Sequence, residues 1–151
     1  MNNKQDNLKE KFRQALVSTA KVISDDYKID HKSKNIDFFE LDKLDNDNDF
    51  IRFRAEADTK ALKKKFSNDE IYQKNLPRNN SCKALYKISE KIRYELLGSK
   101  MLKGISKNLS QNYYQKIKLK KKEKLESKDD VNISEAFELY MLKKFLHIKL
   151  N

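Results

Sequence analysis

The first half of the chain carries apolar residues at the three- and four-residue spacing of amphipathic helices. Over residues 6–24 this spacing, with Lys and Gln on the opposite face, predicts a helix whose apolar positions are Leu8, Phe12, Leu16, Ala20 and Ile23. Residues 49–66 predict a second helix, with inward positions Phe50, Phe53, Ala57, Ala61 and Leu62. Acidic residues at its start and three lysines at its end suit the helix dipole.

Between these two helices the period of the pattern changes. The segments "YKID" and "NIDFFEL" alternate apolar and polar residues, which places Tyr27, Ile29, Ile36 and Phe38 on one face. We therefore expect a small β-hairpin over residues 27–41, although the intervening "HKSK" lacks the Gly or Asn-Gly that favours a tight turn.

The second half of the chain predicts further helices. After a loop "NLPRNNS", Ser81 is the expected N-cap of a helix with the stripe Leu85, Ile88, Ile92 and Leu96, and the stripe continues through Met101, Ile105, Leu109 and Tyr113. The charged residues 116–130 form either an exposed helix end or a loop. A last helix begins after Asn132, which has capping-box spacing to Glu135, and its expected inward face is Ile133, Phe137, Met141, Lys144/Phe145 and Ile148.

The fold class expected from these patterns is mainly α, a single helical domain over residues 1–151 with about five helices and a small β-hairpin between the first two. The chain of 151 residues is long enough for a modest core.

Both glycines of the chain, Gly98 and Gly104, fall inside one strongly helical stretch. Each costs roughly 1 kcal/mol relative to alanine within a helix. One interpretation is a continuous or slightly kinked helix in which the glycines permit close approach of another backbone. The other ends the helix at a left-handed Gly98 and begins a new one at Ser99. Both interpretations make the segment a packing junction.

Charge and composition narrow the classes of function. Lys and Arg total 34 against 23 Asp and Glu, a net charge of +11, which permits nucleic acid, an anionic membrane surface or an acidic partner. No secretory segment is present, and no apolar run approaches the roughly 18 residues of a membrane span. The single Cys82 forms no disulfide framework and is expected to be a small buried residue. We expect a cytoplasmic protein.

The sequence contains no complete motif for binding a metal ion or a nucleotide. The two glycines do not fit the spacing of a phosphate-binding P-loop. Cys82, His31 and His147 lie far apart for a zinc site. Asp45, Asp47, Asp49 and Glu56 have EF-hand spacing, but Phe50 occupies the position that needs glycine. These acids are therefore interpreted as a polar linker and the acidic start of a helix, and no metal or cofactor is expected on this segment.

Three ordered segments resemble the N-terminal region of the CobT subunit of aerobic cobaltochelatase. They are "RAEADTKALKKKF" at 54–66, "NLP" at 75–77 and "ALYKISEKIRYELLGSKMLKGISKNL" at 84–109. The residues that carry the resemblance are Arg54, Ala57, Asp58, Ala61, Leu62, Leu76, Pro77, Glu90, Arg93, Glu95, Gly98, Met101, Gly104, Asn108 and Leu109. The chain departs from the family pattern where Pro77 directly follows Leu76 and where Met101 lies three residues after Gly98.

The resemblance implies a role in cobalamin biosynthesis. Cobaltochelatase inserts cobalt into hydrogenobyrinic acid a,c-diamide, driven by ATP with magnesium, and the implied partners are a CobS-type AAA+ ATPase and a CobN-type corrin-binding subunit. The C-terminal von Willebrand A-type domain of the family, with its D-x-S-x-S motif, is absent from this sequence. Together with the lack of a helix stop signal near Leu150, this leads us to expect the N-terminal domain of a longer chain.

The resemblance also provides candidate structural or partner-interface residues: Arg54, Asp58, Glu90, Arg93, Glu95, Gly98, Met101, Gly104 and Asn108. On this interpretation the segment is a non-catalytic assembly and coupling domain. The i, i+3 pair of Glu90 and Arg93 is either a surface ion pair of little energetic value or a bond that orders the junction.

The alternative function is a basic helical nucleic-acid-binding domain. Lysines dominate residues 116–124, and Tyr113 and Tyr114 immediately precede them, so phosphate contacts and base stacking are chemically possible. No sequence pattern of a known nucleic-acid-binding fold accompanies them. Nucleic acid is therefore the less favoured partner.

Overall fold

The computed structural model describes residues 2–28, 46–120 and 132–148. These residues form six helices and no strand: α1 (Asn2–Ser24), α2 (Asp47–Phe66), α3 (Asp69–Lys74), α4 (Asn80–Met101), α5 (Lys103–Lys120) and α6 (Ile133–Phe145). The mainly α prediction is confirmed. The β-hairpin is not supported, because no strand occurs in the described residues and most of the segment expected to form it lies outside them; Tyr27 itself lies in a turn after α1.

The chain divides into two compact units, Met1–Lys65 and Phe66–Asn151. In the first unit, α1 and α2 run parallel, since Phe12 contacts Phe50 edge-to-face with ring centres 4.9 Å apart, and Asp26 pairs with Lys64 near the opposite ends of the helices. Leu16 lies between these contacts in a buried cluster with Phe53 and Ala57. Parallel helices cannot be joined by a tight turn, which explains the long connection between Ser24 and Asp47.

The acidic residues with EF-hand spacing include those of the first turn of α2. The helix begins at Asp47 and carries Asp47 and Asp49 in its first turn, while Lys63, Lys64 and Lys65 occupy its last turn. Asp49 accepts a hydrogen bond from Arg52 on the same helix. These acidic residues therefore lie at the positive end of the helix dipole, where a negative charge is stabilising, as the sequence analysis interpreted them.

In the second unit α4 is the central helix, contacting both α5 and α6. Helix α5 folds back antiparallel to α4, since Glu95 meets Tyr113 across the turn. Helix α6 runs parallel to α4, since Lys91 meets Glu138 and, further along both helices, Lys100 and Lys144 line one cavity. Ile92 and Tyr94 of α4, Leu109 of α5 and Leu142 of α6 are buried. The two antiparallel helices form a helical hairpin, and α6 completes a three-helix arrangement.

The start of α4 differs from the prediction. Asn79 is the N-cap, and its side-chain oxygen accepts hydrogen bonds from the backbone N–H groups of Ser81 and Cys82. The prediction of Ser81 as the cap was wrong, because Asn79 reaches two free N–H groups of the first turn and the helix then begins at Asn80. Cys82 is exposed on this first turn, which corrects the expectation that it is buried.

Helix α6 is capped as predicted, and its predicted inward face is correct only in part. Asn132 accepts a hydrogen bond from the backbone N–H of Ser134. Ile133 is 79% exposed and Phe145 is 42% exposed, so their predicted inward orientation was wrong; Leu142 is the buried residue of the helix. The helix ends at Phe145 because His147 adopts a left-handed backbone (φ 53°), which lets the N–H of Ile148 bond to the Leu142 carbonyl and buries Ile148.

Candidate functional site

Glu90 and Arg93 form the centre of a hydrogen-bond network at the start of the second unit. Arg93 donates from Nε to Glu90 Oε2 at 2.7 Å and from Nη2 to Glu90 Oε1 at 2.8 Å. Nη2 also donates to the Phe66 carbonyl at 2.6 Å, and the Ser67 hydroxyl donates to Glu90 Oε1 at 2.7 Å. The bond to Glu90 raises the pKa of Arg93 above its ordinary value.

This network satisfies a carbonyl at the C-terminal end of α2 and fastens residues 66–67 to α4. A bidentate guanidinium–carboxylate pair also has more defined geometry than a single surface contact. The pair therefore orders the attachment of residues 66–67 to α4, and these hydrogen bonds do not involve the glycine segment that was interpreted as the packing junction.

Glu95 is almost completely buried between α4 and α5. It is 1% exposed, and its Oε2 accepts a hydrogen bond of 2.6 Å from the hydroxyl of Tyr113, which is itself 3% exposed. Burial raises the pKa of Tyr113 above its ordinary value, and the nearby charge of Glu95 raises it further, so the hydroxyl keeps the proton that it donates. Lys91 lies 5.2 Å from the Tyr113 ring centre and 3.3 Å from Glu138 of α6.

The sequence analysis treated Tyr113 only as an apolar position and did not pair it with Glu95. A signal was present, because Glu95 lies three residues after Ile92 and next to Leu96, on the side of the helix that carries the apolar stripe. A carboxylate at such a position needs a buried hydrogen-bond partner. The tyrosine of the adjacent stripe is that partner.

The turn between α4 and α5 consists of the single residue Leu102. Its backbone is extended (φ −139°, ψ 122°), and its N–H donates to the Gly98 carbonyl at 2.9 Å. Its own carbonyl accepts from the N–H groups of Ile105 and Ser106 and so begins α5. Leu102 therefore ends one helix and caps the next.

The two glycines occupy different environments around this turn. Gly98 is buried inside α4 and has no positive φ, so the helix continues through it and the left-handed interpretation was wrong. The break occurs four residues later, at Leu102. Gly104 lies in the first turn of α5, is exposed, and a Cβ built on it would meet nothing within 4 Å.

The exposed residues around this turn form a surface that we call the corner surface. It consists of the apolar residues Leu97, Met101 and Leu102, which are 37%, 39% and 45% exposed, with Lys100, Lys103 and Gly104 beside them. It combines apolar area with positive charge. Such a surface is suited to binding a partner.

The remaining predicted residues lie elsewhere. Arg54 is exposed and Asp58 is 2% exposed on α2, in the first unit. Asn108 is half-buried on α5. The candidate residues of the second unit thus separate into the Glu90–Arg93 network, the buried Glu95, the corner surface with Met101 and Gly104, and two residues outside these groups, Gly98 and Asn108.

The structure also bears on the chemistry considered from the sequence. Tyr113 is buried whereas Tyr114 is 57% exposed, so only one of the two tyrosines is accessible for stacking on a base. Within residues 2–28, 46–120 and 132–148, no three His, Cys, Asp or Glu side chains are close enough to hold a metal ion. In the same residues, no helix is long and apolar enough to cross a membrane.

A comparison with known protein families gives a match over most of the chain. The family model described as cobalamin biosynthesis protein CobT matches residues 6–146, which cover most of both units and every candidate residue named above. No significant match is found among curated proteins or among solved structures. The match covers nearly the whole chain, and the chain belongs to the family of cobalamin biosynthesis protein CobT.

Proposed function

We propose that this chain is a cytoplasmic, non-catalytic assembly component of an ATP-dependent cobaltochelatase. The complex inserts cobalt, its substrate, into hydrogenobyrinic acid a,c-diamide during aerobic cobalamin biosynthesis. The chain links a CobS-type AAA+ ATPase, which uses ATP and magnesium, to a CobN-type subunit that binds the corrin. Membership of the CobT family is the observation that carries the proposal.

The corner surface supports the assembly role. It exposes three apolar side chains at the tip of a helical hairpin, where a partner can bury them without unfolding the unit. The sequence from 96 to 122 contains eight lysines and no acidic residue. An acidic surface on the partner is therefore the complement that the charge favours.

The Glu90–Arg93 network supports the coupling role. It fixes the first residues of the second unit to the middle of α4, and the C-terminal end of the same helix carries the corner surface. Arg93 precedes Met101 by eight residues, which is about 12 Å along the helix axis. A displacement of the partner at the corner would therefore be transmitted along a continuous helix to residues 66–67.

The test is co-purification of the chain with the CobS-type subunit, and separately with the CobN-type subunit, with and without ATP. Leu97→Glu and Met101→Glu place a charge in the exposed apolar area and are expected to weaken binding by about tenfold or more. Ile71→Glu is the matched control, because Ile71 is 60% exposed on α3 and lies outside the corner surface.

Circular dichroism of each variant shows whether it has kept its helical content. Failure of the unmodified chain to bind either subunit under both nucleotide conditions would refute the assembly role. Binding that Met101→Glu and Ile71→Glu reduce equally would refute the assignment of the interface to the corner surface.

A further inference from the structure

A cavity of about 460 Å³ lies in the second unit, between the C-terminal half of α4, the middle of α5 and the end of α6. Its volume is within the range of sites for small molecules. Gly104 and the exposed residues Leu97, Met101 and Leu102 do not line it, so the cavity is distinct from the apolar part of the corner surface.

Apolar side chains form much of the lining. Leu109 and Ile148 are 1% and 6% exposed, and Leu96, Phe145 and Leu146 contribute further apolar area. A ligand of this cavity must therefore contain an apolar body, because a fully hydrated ion would leave these side chains without a contact.

The polar part of the lining is cationic. Lys100 and Lys144 both line the cavity, and neither forms an ion pair with another described residue. His147 lies beside them, and no Asp or Glu lines the cavity. The C-terminal ends of α4 and α6 together contribute about one negative charge, which is less than the two lysines supply. The balance favours an anionic group.

Hydroxyl groups complete the site. Ser99, Ser106 and Ser110 line the cavity. The Ser99 hydroxyl is buried and has no hydrogen-bond partner, although a buried polar atom is normally paired. Because this oxygen is closed to water, it is closed to a ligand in the cavity as well. The half-buried Ser106 and Ser110 are the hydroxyl donors left for a carboxylate whose charge the lysines neutralise.

We propose that this cavity is a binding site for a small amphipathic carboxylate, with the carboxylate toward Lys100 and Lys144 and the apolar body against Leu109 and Ile148. The lining contains no arginine, so the bidentate geometry that often selects phosphate is missing. The proposal does not depend on the role in chelatase assembly.

Binding can be measured by isothermal titration calorimetry on the full chain with four probes: octanoate, octylamine, acetate and inorganic phosphate. We expect saturable binding of octanoate, at least tenfold weaker binding of acetate and phosphate, and no binding of octylamine to the same site. Octylamine has the same apolar chain with the opposite charge, and acetate has the same anionic group without the chain.

Lys100→Gln and Lys144→Gln are each expected to weaken octanoate binding by about tenfold. Lys87→Gln is the matched control, because Lys87 is exposed on α4 and does not line the cavity. Absence of saturable octanoate binding would overturn the proposal. Equal affinity for octanoate and octylamine, equal affinity for octanoate and phosphate, or equal effects of Lys100→Gln and Lys87→Gln would also overturn it.

Discussion

Tyr113→Phe is expected to lower the free energy of unfolding by about 1.5–3 kcal/mol. The substitution keeps the ring and its contact with Lys91 but removes the hydroxyl that donates to Glu95 at 2.6 Å. Glu95 is 1% exposed, so water cannot replace the lost donor without opening the interface between α4 and α5. A hydrogen bond to a charged, buried group lies at the upper end of the usual range.

The assay is urea unfolding followed by far-ultraviolet circular dichroism. For a chain of this size, each kcal/mol corresponds to a shift in Tm of roughly 2–4 °C, so a thermal scan should show a fall of about 3–12 °C. Tyr114→Phe is the control, because Tyr114 is the next residue on the same helix and is 57% exposed. It is expected to change stability by less than about 0.5 kcal/mol.

A double-mutant cycle with Glu95→Gln separates the hydrogen bond from packing. If the bond to Tyr113 provides the stability, the two substitutions are expected to couple by about 1 kcal/mol or more. Equal effects of Tyr113→Phe and Tyr114→Phe would refute the reasoning. Two destabilising single substitutions with additive effects would refute it as well, since the losses would then come from packing.

Three further outcomes are expected. Gly104→Ala should raise the free energy of unfolding by about 0.5–1 kcal/mol, because the added Cβ meets no atom within 4 Å and the backbone needs no positive φ; a destabilised variant in urea unfolding would contradict this. The hydrogen bond from Lys64 holds the pKa of Asp26 below its ordinary value of 3.8, so its stabilisation is present above about pH 4 and is lost as the pH falls further; Asp26→Asn should flatten the acid limb of a stability–pH profile. Burial raises the pKa of Tyr94 above the ordinary value of 10, so the free energy of unfolding should fall as the pH rises beyond 10. Tyr94→Phe should make this fall less steep. A stability–pH profile that Asp26→Asn leaves unchanged at acid pH, or that Tyr94→Phe leaves unchanged at alkaline pH, would contradict the respective prediction.

The long helices were predictable because the spacing of their apolar residues and the charged or capping residues at their ends indicate the same bounds. For α2, four of the five predicted inward positions are buried (Phe53, Ala57, Ala61 and Leu62) and Phe50 is half-buried. The helix extends only two residues beyond the predicted start. Helix α3 was not predicted, because its six residues contain no buried side chain and so show no apolar period. Its existence depends on capping by Asn68, whose side chain accepts from the N–H of Ile71.

The turn at Leu102 could not be located from the stripe of apolar residues. Ile105, Leu109 and Tyr113 are buried as predicted, but on an antiparallel helix that folds back along α4. The four-residue step from Met101 to Ile105 crosses the turn, but Met101 is exposed, so the stripe that reads as continuous in the sequence belongs to two separate helices. Leu102 is not one of the residue types, Gly, Pro or Asn, that usually mark the end of a helix in a sequence.

The position of Gly104 connects the turn to the proposed function. Glycine weakens a helix by roughly 1 kcal/mol relative to alanine, and nothing within 4 Å in the described structure requires the absence of a Cβ at this position. Gly98 differs, because it is buried within α4. A close approach from outside the chain is a physical reason for an open glycine beside exposed Met101 and Leu102, since a partner backbone can reach the helix there. Gly104→Ala should therefore have opposite effects on the two readouts, a more stable chain that binds its partner more weakly, whereas stronger or unchanged binding would remove Gly104 from the interface.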